Sequence, residues 1–205
     1  MTADTVNAKP LKVFINCPFD PQFEPLRDAL IVSCVACGFF PTSAVVRGGG
    51  GRLRIDRILD ELETSLYSIH DMSRSTGAGP YNLARFNMPL ELGMAIYLSR
   101  SKGGQHDWLA LVPDGPAHAA YISDLSGFDP EIYDGTEAQM ISRVVSYLAV
   151  RDEAVPGVGA RLVCDIMPEF RKEKSVAVAK WNGQPPPWVD LVEAARRALL
   201  TRFSQ

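Results

Sequence analysis

Between residues 11 and 150, short apolar runs alternate with longer stretches of helical spacing, and this alternation constrains the fold more than any other feature. "LKVFINCPF" (11–19) reads as a strand buried on both faces and ended by Pro18. "PLRDALIVSCVACGF" (25–39) has helical spacing, with Gly38 placed as its stop. "FFPTSAVV" (39–46) is a second strand, and "LRIDRILDELETS" (53–65) is an amphipathic helix with Ile55, Ile58, Leu59 and Leu62 on one face. "LYSIHDMS" (66–73) makes a third strand ending at Asp71, and 74–87 a loop. "FNMPLELGMAIYLSR" (86–100) follows as a strongly apolar helix that Pro89 starts, with Glu91 in its first turn. "DWLALVP" (107–113) adds a strand, 128–135 a short edge strand, and 136–150 a helix with Thr136 as N-cap. Strand and helix in turn make an α/β domain with a parallel sheet.

In such a sheet ligands bind beyond the carboxyl ends of the strands, where the strand order reverses. That expectation places "NCPFD" (16–20), "HDMS" (70–73) and "PDG" (113–115) on one rim, together with the N-termini of the helices that follow. After residue 150 the pattern changes: a Gly- and charge-rich linker leads to further helical sequence, ending in "WVDLVEAARRALLTRF" (188–203). The expected organisation is a polar lead over 1–10, an α/β domain over 11–150, and an extension over 151–205 that packs on the core or on a partner.

With 46% hydrophobic and 22% charged residues, the 205-residue chain has a globular profile and enough apolar surface for a sizeable core. A net charge of -3 supplies no field favouring nucleic acid. No apolar run reaches the roughly 18 residues needed to span a bilayer. No export signal is visible, and cysteines read as reduced point to the cytoplasm. Cys34 and Cys37 form a CxxC, but on an apolar helical stretch with no second pair, where cysteine acts as a small hydrophobe.

"GGGG" (48–51) before a helix invites a phosphate-contact reading through Arg47, Gly49, Gly50 and Arg52. It lacks the Lys-Ser/Thr of a P-loop and the GxGxxG spacing, and four glycines in a row are also simply a flexible turn. His70, His106 and His118 show no metal-ligand spacing, so no metal is expected. His70 is placed to line the cleft beside Asp71. No GxSxG elbow is present, and Cys17, with no assigned base, is read as structural. The rim carboxylates Asp20, Asp71 and Glu91 remain. Asp71 is either a turn-starting residue or a catalytic one, and Glu91 either complements the helix dipole or reacts.

The series "VFINCPFD", "YSIHDMS" and "RFNMPLELGMA", in that order and spacing, resembles the nucleoside 2-deoxyribosyltransferase-like superfamily and the TIR-like proteins related to it. The resemblance covers residues 11 to 150, and "ELG" is its most specific element. It implies a flavodoxin-like five-stranded sheet with helices on both faces. It also implies an N-glycosidase acting on NAD or a nucleoside or nucleotide. Glu91 matches the catalytic carboxylate, and Asp71 the acid that contacts base or ribose. Phe19 and Asp20 match the loop closing over the base. Asn16, Pro18, His70, Asn87 and Met88 complete the expected substrate contacts. No cofactor is expected beyond the nucleotide substrate itself. Self-association, or a partner protein on the extension, is expected as well, and the extension shows no match to the transferases' terminal segment. The alternative is a non-catalytic nucleotide-binding or assembly module of the same fold.

Cleaving a C1′–N bond passes through an oxocarbenium-like state that a nearby carboxylate stabilises or attacks. A helix dipole is expected to keep Glu91 ionised. Nicotinamide in NAD is already cationic and leaves without a proton, whereas a neutral base needs an acid, for which Asp71 or His70 is available.

Overall fold

The computed structural model describes residues 10–45, 51, 53–74, 86–113 and 129–203. The expected phosphate contacts Arg47, Gly49, Gly50 and Arg52 lie outside the described residues, as do most of the 74–87 loop and "DG" of the third rim segment. The strands are β1 (Lys12–Asn16), β2 (Phe40–Thr42), β3 (Tyr67–Asp71), β4 (Asp107–Pro113) and β5 (Glu131–Tyr133). The helices are α1 (Glu24–Ala36), α2 (Arg54–Thr64), α3 (Asn87–Ser101), α4 (Glu137–Leu148), α5 (Ala160–Lys180) and α6 (Trp188–Phe203). The strands form one parallel sheet in the order β2-β1-β3-β4-β5, a flavodoxin-like arrangement.

Side chains alternate across this sheet. Val13, Ile15, Tyr67, Ile69, Leu109 and Leu111 share the large core with α1, α4, α5 and α6. On the other face, Phe14 packs with Ile58, Leu62 and Ala95 of α2 and α3, and Ala110 and Val112 pack with Met88 and Leu92. Ser68 and His70 of β3 and Asn16 of β1 project toward this second face as buried polar residues among the apolar ones.

Local signals explain the element ends. α1 closes at Cys37, and Gly38 takes φ +92. The Gly38 amide donates to Val35 O at 3.0 Å and the Phe39 amide to Cys34 O at 2.9 Å, which is a Schellman stop. Thr136 caps α4 by accepting from the Gln139 amide at 3.3 Å. Cys34 and Cys37 are both buried among apolar neighbours.

α3 departs from the sequence expectation. It begins at Asn87, two residues before Pro89, and Glu91 therefore lies in the second turn. Proline is tolerated at the third helical position because the first four amides of a helix have no intrahelical partner. At Gly93 a Cβ would meet nothing within 4 Å, so no close backbone approach requires glycine there.

The segment after residue 150 packs on the core. Val163, Ile166, Met167 and Phe170 of α5, with Leu191, Val192, Ala195 and Ala198 of α6, belong to the same buried cluster as β1 and β3. Lys174 of α5 reaches Glu24 and Asp28 of α1 at 2.5 Å each. The Trp188 indole donates to Pro41 O at 2.8 Å. No helix among the described residues is long and apolar enough to cross a membrane.

Candidate functional site

The strand order reverses between β1 and β3. From β1 the chain runs through α1 to β2; from β3 it runs through α3 to β4 on the opposite face. A crevice opens at the carboxyl ends of strands that part in this way. Asn16 and His70 are register partners across it. The Asn16 Nδ2 lies 3.1 Å from His70 Nδ1 and donates to Met88 O of α3 at 3.2 Å. This ties β1, β3 and the first turn of α3 together.

Glu91 stands one turn beyond Met88. It is only 3% exposed, and its Oε1 has no hydrogen-bond partner. Burial pushes its carboxyl up to about 7, against the opposing influence of Arg54 and a hydrogen bond from Asn87. The expectation of a dipole-ionised Glu91 is thereby corrected. A helix terminus acts over one turn, and at the fifth residue of α3 burial outweighs it. Nor does Glu91 cap the helix, which leaves the acid without that bland explanation.

The other expected residues divide between the two faces. Asp71 is fully buried and points to the α1–α4 side. Its Oδ2 accepts from the Tyr133 hydroxyl at 2.6 Å, and its Oδ1 from the Ser73 amide at 3.0 Å and the Ser73 hydroxyl. Burial raises its carboxyl above the ordinary range, with those bonds acting in the opposite direction. His70 is fully buried, and burial with the neighbouring His106 lowers its ring to about 3. It is a neutral imidazole, 2.9 Å from Ser68 Oγ through Nε2. Sequence reasoning offered Asp71 and His70 as partners for Glu91; the fold turns the first toward Tyr133 and encloses the second in the sheet.

Phe19 packs at a tilt against Trp188 of α6, with ring centroids 6.2 Å apart, and lies under Arg27 of α1. Its ring belongs to the α1–α6 packing. Asp20 forms a clasp across the crevice, with Arg74 Nη2 to Oδ1 at 2.9 Å and Nε to Oδ2 at 3.1 Å, so the loops after β1 and β3 are joined. Pro18 is buried and Asn87 is exposed at the start of α3. Cys17 is fully buried, and burial, followed by Asp71, drives its thiol well up, which removes it as a nucleophile at neutral pH.

Sequence reasoning missed Arg54, Arg74, Ser68 and Tyr133. Arg54 opens α2 and is the cation whose field reaches Glu91. Its signal in the sequence is a basic residue at a helix start after a glycine run, just beyond Arg47 and Arg52. Among the described residues no group of three or more His, Cys, Asp or Glu is arranged to hold a metal. A cavity of about 70 Å³ between α5 and α6 is lined by charges, among them Lys180 with Asp190 and Arg197 with Glu173, that pair with one another.

Fold and site together define a flavodoxin-like α/β protein with a buried carboxylate at its switch-point crevice. No family model matches the chain, and no curated protein matches it. Among solved structures it is similar to the TIR domains in "Structure of the activated Roq1 resistosome directly recognizing the pathogen effector XopQ". The TM-score is 0.47 at 9% identity, covering 67% of this chain and 98% of that one. A likeness of that degree concerns the course of the chain and assigns no residue a role.

Proposed function

We propose that this protein is an N-glycosidase in which Glu91 is the reacting carboxylate, and that NAD is its preferred substrate. The observation that supports this is the state of Glu91: enclosed, with one free oxygen, and balanced near neutrality at a crevice where α/β proteins bind ligands. Such placement stabilises no helix end and carries a folding cost, as reactive groups commonly do.

In the ionised form, Oε1 attacks C1′ of the nicotinamide ribose or stabilises its positive charge. The C1′–N bond breaks with its electron pair passing to the pyridinium ring, which leaves as neutral nicotinamide. Water then adds at C1′, displacing Oε1 where an ester has formed, and releases a proton, giving ADP-ribose. The leaving group needs no acid. That suits a site where both oxygens of Asp71 are engaged and His70 is neutral inside the sheet. A neutral purine or pyrimidine would require the acid that this arrangement does not offer.

The test is incubation with NAD and with a nucleoside panel, followed by chromatography. Nicotinamide released from NAD, with unmodified purine nucleosides and loss of turnover in Glu91→Gln, is the expected result. Cleavage of purine nucleosides at a rate equal to that of NAD would defeat the NAD preference.

A second reading, an assembly module of the same fold, draws on the outward face of α3. Phe86, Leu90 and Tyr97 are exposed in one line along the helix. A helix apolar on its solvent face is suited to a second surface. Light scattering of wild type and of a Leu90→Glu, Tyr97→Glu variant separates this reading, since it requires wild type alone to self-associate.

A further inference from the structure

Asn16, Ser68, His70 and His106 form a continuous buried chain along β3. The polarity of that chain can be worked out from either end. At one end His106 Nδ1 lies 3.0 Å from Ser65 O, which only accepts, so Nδ1 carries the proton. In a neutral ring His106 Nε2 then accepts from Ser68 Oγ, at 3.0 Å. The Ser68 hydroxyl has given its proton and so accepts from His70 Nε2 at 2.9 Å, which leaves His70 Nδ1 as an acceptor. At the other end Met88 O, again an acceptor only, requires the Nδ2 of Asn16 on its side. That same Nδ2 donates to His70 Nδ1. The two ends agree on one arrangement, and rotating the amide would set two oxygens against each other at Met88.

The amide of Asn16 is therefore locked, with both Nδ2 protons spent. Its Oδ1 is left without a partner although the residue is 3% exposed. A buried acceptor with no partner is costly, and here it sits at the last residue of β1, on the switch point, beside the helix that carries Glu91. We propose that Asn16 is a substrate-orienting residue whose Oδ1 accepts one N–H or O–H of the substrate, the chain through Ser68, His70 and His106 holding it in that orientation. This rests on the nucleotide reading of the site. In NAD the donor is either a hydroxyl of the nicotinamide ribose or the carboxamide N–H.

Long-range nitrogen–proton NMR spectra test the orientation without any substrate. The expected result is His70 protonated on Nε2 and His106 on Nδ1; a His70 protonated on Nδ1 overturns it. The contact is tested by kinetics with NAD and two analogues, one lacking a ribose hydroxyl and one with a methyl ketone in place of the carboxamide. Asn16→Ala is expected to raise KM for NAD by about tenfold or more. With the analogue lacking the contacted donor, the same substitution adds no further loss, which also says which donor is used. Losses that multiply with both analogues count against the contact. Ser68→Ala cuts the chain away from any ligand. It is expected to mix the His70 tautomers and raise KM with kcat unchanged, so the orienting role stays testable if Asn16→Ala does not fold. An unchanged KM in Ser68→Ala would reject that orienting role. Titration calorimetry with NAD separates the two levels. NAD bound by wild type, lost in Asn16→Ala and cleaved by neither, supports Asn16 and rejects hydrolysis. Cleavage by wild type undiminished in Asn16→Ala rejects Asn16 alone, and wild type that neither binds nor cleaves NAD rejects both.

Discussion

Glu91 is where folding and chemistry pull in opposite directions. Its carboxyl is raised from 4.5 to about 7 by burial. Below pH 4.5 both folded and unfolded chains hold the proton, and the residue costs nothing. Between 4.5 and 7 the unfolded chain releases it first, so stability falls as pH rises. Above 7 the penalty levels off at about 3 kcal/mol. Glu91→Gln removes the charge and is expected to stabilise the fold by up to that amount at pH 8, and by nothing at pH 4. Urea denaturation at the two values checks this. The same substitution is expected to lower kcat/KM for NAD by about a thousandfold or more. A gain in stability with a loss of activity marks a reactive group; a cap or structural acid gives a loss of both. The pH profile has a definite sign too. The ionised form reacts, so kcat/KM should rise about tenfold per pH unit up to about 7 and then flatten. A profile falling across that range would make Glu91 a proton donor instead.

At the scale of elements, chain ends were more legible than site geometry. Gly38 announced the stop of α1, and Thr136 the start of α4, because caps are set by a few neighbouring residues. Gly38→Ala should cost more than about 1 kcal/mol by thermal denaturation. Its φ is +92, and a Cβ would lie 2.8 Å from Val155 Cγ2. α3 starts two residues before Pro89, because proline is accepted within the first turn of a helix as well as at its first position. That small shift changed the physics of Glu91, moving it out of reach of the helix terminus. That Asp71 and Glu91 do not pair was also illegible locally. Strand parity sends Tyr67, Ile69 and Asp71 to one face, while α3 lies on the other.

For the molecule as a whole, the segment from 151 onward is part of the folding unit. Its apolar residues cover the α1 face of the core. A chain ending at residue 150 would expose that face and is expected to be insoluble or to lose cooperative unfolding, read by circular dichroism. Lys174→Met offers a finer test. It leaves Asp28, 6% exposed, without its cation and should cost about 3–5 kcal/mol. Activity at a temperature where the variant stays folded should be unchanged, since Lys174 sits on the α1–α5 side, away from α3.

The alternation of strands and helices, the caps and the apolar faces were determined by the sequence alone, because each depends on residues a few positions apart. So was the candidacy of Glu91, an acid in an apolar helix. The tertiary structure decided its protonation, which depends on its burial and on Arg54 of α2, and the separation of Asp71 and Phe19 from it. It also decided the direction of Asn16. That direction is set by a carbonyl 72 residues away and by two histidines whose protons are arranged only when β3 and β4 lie side by side.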